Sequence, residues 1–172
     1  MKEVILIGTA HLGLTPIEEL VDEVMSHNPD RVLIEVDQQG NGAEEMKLLL
    51  DWCKESNVEY RCFDQSVPAE KIAGRPTKKE IDDFTAVIKE TLQGVSWKEL
   101  NKRSAWETTG AERPDQDFLD TFYNAEKIVE RERLIEKNIV SVLTGGTNVV
   151  VTGAGHLTHL LKAIPGSAAP LR

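Results

Sequence analysis

The chain has 172 residues, of which 40% are hydrophobic and 28% charged, and this length suits one domain with a substantial core. Its formal net charge of −9, with no concentrated patch of Lys and Arg, argues against proteins that bind a nucleic-acid backbone. No apolar run approaches the roughly 20 residues that cross a bilayer, and residues 4–7 are too short for a signal-peptide core. We therefore expect a cytoplasmic protein without a membrane partner, in which Cys53 and Cys62 are reduced.

The first part of the chain alternates apolar runs with amphipathic helical patterns. The predicted elements are strands at 4–7, 32–34 and 58–63 and helices at about 16–27 and 43–56. Thr15 is the expected N-cap of the first helix, and Glu18 completes a capping box with it. Strands and helices that alternate at this spacing predict right-handed crossovers and a mainly parallel sheet flanked by helices.

The middle of the chain, about 68–144, carries helical patterns and no strand signal. Two capping boxes, Thr77 with Glu80 and Ser96 with Glu99, precede a long helical pattern at about 117–143. A last strand is predicted at 148–152, a closing helix at 157–164, and a loose tail at 166–172. The sequence therefore predicts a single α/β domain over 1–172 with a helical insertion before its last strand.

The first and last strands end in the same pattern, glycine, two small residues and histidine, at residues 8–11 and 153–156. Parallel sheets bind ligands outside the carboxyl ends of their strands, so His11 and His156 are expected at one edge. A single histidine in such a turn is usually a cap, but a matched pair favours a ligand-binding or catalytic site, since imidazole is the commonest transition-metal ligand. The turns also offer glycines that let the chain turn sharply or let a ligand approach the backbone, and one hydroxyl donor; these are Gly8, Gly153, Gly155 and Thr9.

Glu35 closes the second strand, where a carboxylate is unfavourable unless it is protonated or paired with a cation. Either Glu35 takes part in the site directly, or it pairs with an arginine and only shapes the site. Asp37 is expected on the same strand face as Glu35. His159 either joins the preceding histidine as a His-x-x-His pair or is an exposed polar residue, and His27 is expected to cap a helix C-terminus.

Four motifs stand in a fixed order along the chain: GTAH at 8–11, NPDRVLIEVD at 28–37, ERE at 130–132 and VTGAGHL at 151–157. Together they resemble the TraB/PrgY family, which is related to the TIKI proteases and to the erythromycin-esterase and ChaN-like group. The resemblance implies an EreA/ChaN-like α/β fold with a helical insertion. It also implies a site built from His11, His156, Glu35 and Arg131.

Members of this group differ in activity. The TIKI branch has peptidases that depend on manganese or cobalt, the PrgY branch curbs a peptide pheromone, and ChaN-like relatives bind haem iron. The chain departs from the family in having Gln38, Gln39 and Gly40 where an arginine is common, Gln65 in place of an arginine, and His159 in place of a glycine. It also lacks the hydrophobic C-terminal helices of membrane-attached relatives. The fold alone therefore does not settle the function.

The leading hypothesis is a metal-dependent hydrolase of a peptide or similar amide. His11, His156 and Glu35 would hold one divalent ion, manganese or cobalt rather than zinc. Glu35 either ligates the metal or acts as general base, while Arg131 orients Glu35 or stabilises developing negative charge. Asp37 and Asp64 are lesser candidates.

Two other functional classes remain open. The same histidines suit a non-catalytic module that captures a peptide, a metal or haem without activating water. The acidic insertion at 68–112 suits a regulatory interaction protein. A peptide or small molecule is the expected partner, and a homodimer is possible.

Overall fold

The computed structural model describes residues 2–11, 13–65, 77–102 and 125–172. Within these ranges, five parallel strands form one sheet flanked by helices, which confirms the predicted α/β class. The elements are β1 (Lys2–Thr9), α1 (Ile17–Ser26), β2 (Arg31–Ile34), α2 (Glu44–Glu55), β3 (Tyr60–Cys62), α3 (Lys78–Thr91), α4 (Ala125–Val142), β4 (Gly146–Gly153), α5 (Leu157–Ala163) and β5 (Ser167–Ala168). Two short 3-10 turns lie at Glu99–Asn101 and Ala154–His156.

The strands lie in the order β3-β2-β4-β1-β5, so β4 stands between β1 and β2. Both faces of the sheet are covered, which explains why the strand sequences are continuous apolar runs. On one face, Ile5 and Ile7 of β1 pack with side chains of α1, α2 and α3. On the other face, Val4 and Leu6 pack with α4 and α5.

The neighbouring strands β1 and β4 lead into helices on opposite faces of the sheet. Leu20 of α1, which follows β1, belongs to the first core, whereas Leu160 of α5, which follows β4, belongs to the second. The chain therefore leaves these two strands in opposite directions. Such a switch point opens a crevice at the carboxyl ends of parallel strands.

The helical insertion is described in part. The Thr77–Glu80 capping box begins α3 as predicted. The Ser96–Glu99 box accompanies only a 3-10 turn, where the Ser96 N–H donates to Glu99 Oε2 over 3.3 Å. The long predicted helix is α4, and its expected start at 117–124 lies outside the described residues. Among the described helices, none is long and apolar enough to cross a membrane.

Two local predictions are wrong. Thr15 does not cap α1: its hydroxyl accepts from the Ala10 N–H and donates to the Ala10 carbonyl, both over 2.8 Å, and Pro16 is the N-cap without a side-chain bond. The C-terminal tail is not loose, because Ser167–Ala168 pairs with Val4 and Ile5 as β5. The expectation that Cys53 and Cys62 are reduced, by contrast, agrees with the structure, in which both are free thiols.

Candidate functional site

The two Gly-x-x-His turns lie side by side at the carboxyl ends of β1 and β4, as the sequence predicts. Their register is shifted by one residue, because Gly8 pairs with Thr152 and Thr9 pairs with Gly153. The turns therefore resemble each other in sequence but are not equivalent in space. This offset decides what each glycine and each histidine contacts.

The first glycine of each motif, Gly8 or Gly153, leaves space for the opposite turn. A Cβ at Gly8 would stand 2.8 Å from Ala154 Cα, and a Cβ at Gly153 would stand 2.8 Å from His11 Nε2 and 3.6 Å from His156 Cδ2. Gly153 has an ordinary φ of −58°, so it is needed for space and not for backbone conformation. Around Gly155, no described atom lies within 4 Å of where a Cβ would stand.

Glu35 lies at the centre of the site, directly after β2, with 7% of its surface exposed. Its Oε2 accepts from Thr152 Oγ1 over 2.6 Å and from the Gly153 N–H over 2.8 Å. Its Oε1 lies 3.5 Å from His156 Nε2. Burial alone would raise the pKa of Glu35, but the bond and charge of His156, with the Thr152 and Gly153 donors, outweigh it and lower the pKa to about 2.

His156 lies between two carboxylates. Its Nδ1 lies 2.6 Å from Glu132 Oε1, and its Nε2 faces Glu35. Burial disfavours the protonated ring, but Glu132 and Glu35 outweigh this cost and raise the pKa of His156 to about 9. Without a metal, His156 is therefore a cation at neutral pH that neutralises the charge of Glu35.

Within the described part of the chain, His11 has one carboxylate partner, and it is the more open of the two histidines. Its Nδ1 lies 2.7 Å from Glu45 Oε1, and its side chain is 43% exposed against 20% for His156. The same Glu45 oxygen accepts from Thr9 Oγ1 over 2.9 Å. Burial disfavours the charged His11 ring, but Glu45 outweighs it and raises the pKa of His11.

Arg131 reaches the site from α4 and is held mainly by Asp64. Its guanidinium donates to the two Asp64 oxygens over 2.9 and 3.1 Å, and more weakly to Glu35 Oε1 over 3.4 Å. Arg131 and Glu132 face the site, while Glu130 and Arg133 on the same helix are exposed. Of the charged run at 130–133, the two middle residues therefore belong to the site.

Several residues that support the site carry no recognisable signal in the sequence. Asn101 is 1% exposed, and its side-chain amide accepts from the Gly8 N–H and donates to the Gly8 carbonyl, each over 2.7 Å. It thereby takes the place of a neighbouring strand at the end of β1. Glu45, which holds His11, was likewise not predicted. Glu132, which holds His156, stands in the ERE motif at 130–132 but was not among the predicted site residues.

Other predicted candidates lie outside the central group. The expectation that Asp37 shares a strand face with Glu35 is wrong, because β2 ends at Ile34 and Asp37 accepts from the N–H groups of Gln39 and Asn41 in the following turn. His159 lies 3.0 Å from Glu136 on α4. His27 is the C-cap residue of α1, as predicted.

A cavity of about 770 Å³ opens beside the site. Its lining includes His11, Glu35 and Arg131, together with Lys89 of α3. The volume lies in the range of ligand pockets in proteins. A bound molecule would therefore meet His11 and Arg131.

The donor set suits a transition metal in kind. Two imidazoles and one carboxylate, those of His11, His156 and Glu35, are ligands that such ions accept. Each imidazole also has a carboxylate on Nδ1, which is the usual partner of a metal-binding histidine. In the part of the chain that the structure describes, however, no three such side chains are spaced to hold an ion as they stand.

The whole chain, and not the site alone, is the basis of the comparison with known proteins. No family model, no curated protein and no solved structure matches it. The resemblance to the TraB/PrgY family therefore stays a prediction that rests on the four motifs.

Proposed function

We propose that this chain is a divalent-metal-dependent hydrolase that cleaves a peptide or a similar amide, as membership of the TraB/PrgY family would imply. One observation carries the proposal: His11 and His156 flank Gly153, and each has its Nδ1 bound to a carboxylate. A neutral ring that donates from Nδ1 has its lone pair on Nε2, where it could accept a metal or a proton.

The ion would be held by His11, His156 and Glu35, whose side chains would have to shift towards it, since among the described residues no three such groups are spaced to hold an ion as they stand. When bound, a divalent ion polarises a carbonyl and lowers the pKa of water, and the family resemblance favours manganese or cobalt over zinc. To ligate an ion, His156 would have to lose the Nε2 proton that faces Glu35 and keep the Nδ1 proton that faces Glu132.

The protein groups would take different roles in this proposal. Glu35, with a pKa of about 2, is a weak base at neutral pH, so its negative charge serves as a ligand or as a fixed counter-charge. His11 lines the cavity, so as a ligand it would hold the ion on the side where a substrate would bind. Arg131 is fixed by Asp64, orients Glu35, and offers positive charge to an oxyanion that forms in the cavity.

The test measures metal content and peptide cleavage together. The purified chain, His11→Ala, His156→Ala and the control His27→Ala are analysed for metals and assayed with a quenched-fluorescent peptide library and Mn²⁺, Co²⁺ or Zn²⁺. His27 is a matched control, because its ring pairs with Glu23 on α1, away from the site. We expect metal and cleavage in the wild type and control and neither in the two site variants; equal metal in all four proteins contradicts the shared site.

A second candidate is capture of a peptide, a metal or haem without turnover. It is favoured by the saturation of Glu35, whose two oxygens already face Thr152, Gly153, His156 and Arg131. Stoichiometric metal without cleavage of any library peptide would support capture. For haem, a Soret band on titration that is lost in His11→Ala would do the same.

A further inference from the structure

We propose that Glu45 is a positioning residue that fixes the ring of His11, with the Thr9 hydroxyl fixing Glu45 in turn. The effect on kcat given below rests on the proposed function, whereas the effect on the tautomer of His11 does not. Glu45 lies in the first turn of α2 and is 2% exposed. One oxygen of its carboxylate, Oε1, meets both Thr9 Oγ1 at 2.9 Å and His11 Nδ1 at 2.7 Å.

The contacts determine which nitrogen of His11 holds the proton. An ionised carboxylate only accepts hydrogen bonds, so the neutral ring must donate from Nδ1 and keep its lone pair on Nε2. The Nε2 atom stands beside Gly153, where the missing Cβ leaves it space. Glu45 therefore sets both the tautomer and the direction in which the lone pair points.

A purely structural role does not account for Glu45. Its second oxygen, Oε2, is buried and has no hydrogen-bond partner among the described residues. An apolar side chain would fill the same volume without a desolvated charge. The bond to His11 Nδ1 is the contact that makes use of the negative charge of Glu45.

Of the two site histidines, His11 is the one whose ring orientation depends on Glu45 and bears on the cavity. His156 is fixed from two sides, by Glu132 and Glu35, whereas the ring nitrogens of His11 have Glu45 as their one partner among the described residues. His11 is also the histidine that lines the cavity. Loss of Glu45 would free the ring that faces a bound molecule.

The direct test is the ring tautomer, read from long-range ¹H–¹⁵N spectra of the full chain. The chain is freed of metal with EDTA and recorded at a pH where the ring is neutral, and His11→Ala assigns the signals. We expect the Nδ1–H form in the wild type and in Glu18→Gln, which removes an exposed carboxylate from the first turn of α1. In Glu45→Gln the amide can donate to Nδ1, so we expect the Nε2–H form to appear.

Thr9 supplies a second, milder variant. Thr9→Val removes the hydroxyl that holds Glu45 while keeping the side-chain shape, and Thr9→Ser restores it. We expect the Nδ1–H fraction to fall in the first variant and to recover in the second. These variants decide the question even if Glu45→Gln does not fold.

The kinetic readout separates this inference from the proposed function. If the chain hydrolyses a library peptide, Glu45→Gln should lower kcat by roughly 10–100-fold and leave KM nearly unchanged, the size typical of a group that orients a ligand. A chain with the expected tautomer but no cleavage refutes the hydrolase and keeps the role of Glu45. An Nε2–H ring in the wild type, or a tautomer unchanged in both Glu45→Gln and Thr9→Val, overturns the role of Glu45.

Discussion

Replacement of Gly153 by alanine tests the packing of the two turns against each other. The added Cβ would stand 2.8 Å from His11 Nε2, closer than such atoms approach, so the ring has to move. The backbone of Gly153, with φ −58° and ψ 136°, suits alanine without strain. The perturbation therefore acts on the histidine and leaves the strand in place.

The magnitude follows from the bond that His11 loses. When the ring swings away from Gly153 it leaves Glu45, and a hydrogen bond to a charged group contributes about 1.5–3 kcal/mol. This loss is offset by about 0.4–1 kcal/mol, because alanine lowers the conformational entropy of the unfolded chain. We expect the free energy of unfolding to fall by about 1–2 kcal/mol, which for a chain of this length lowers Tm by roughly 2–8 °C.

The assay is thermal unfolding combined with metal content and peptide cleavage, and Gly155→Ala is the matched control. Gly155 belongs to the same motif, its backbone does not require glycine, and no described atom lies within 4 Å of its Cβ position. We expect Gly155→Ala to be as stable as the wild type or slightly more so, with a metal content equal to that of the wild type. If Gly153→Ala equals Gly155→Ala in stability and metal content, the packing argument is refuted.

Three further outcomes can be measured on the same protein. Gly8→Ala places a Cβ 2.8 Å from the backbone of the second turn, so urea denaturation should show a larger loss of stability than in Gly153→Ala. Asn101→Ala leaves both polar backbone groups of Gly8 buried without a partner, and we expect it to cost about 2–6 kcal/mol in the same experiment, against no change in the exposed Lys102→Ala. In the chain treated with chelator, folding raises the pKa of His156 from 6.5 to about 9. The protonated ring therefore stabilises the fold by at most about 3 kcal/mol; this contribution is complete below pH 6.5 and is lost as the pH rises through about 9. A curve of stability against pH that is the same in His156→Gln contradicts this.

The sequence predicts the order of the elements and the meeting of the two histidines, because both follow from local patterns. Strand runs, turn glycines and the rule that parallel strands bind ligands at their carboxyl ends are sufficient to place His11, His156 and Glu35 together. Arg131 was expected from the family resemblance alone. Its contacts with Asp64 and Glu35 depend on how α4 lies against the sheet, which no local pattern describes.

The residues that support the site could not be predicted for the same reason. Glu44 and Glu45 stand next to each other in the first turn of α2, and both look like acids that complement the helix dipole. Only packing makes the first exposed and the second the buried partner of His11. Thr15 shows the converse, since a local pattern that suits a capping box yields to a tertiary bond with Ala10.

The one-residue offset between β1 and β4 gives two similar turns different tasks. Because Thr9 pairs with Gly153, the ring of His11 lies against the second turn, open to the cavity and held by Glu45. The second turn instead places His156 between Glu132 and Glu35, where it balances buried negative charge. A repeated motif in a sequence thus indicates a shared site without implying shared roles: in this fold, His11 is the histidine that lines the cavity, and His156 is the histidine that lies between two buried carboxylates.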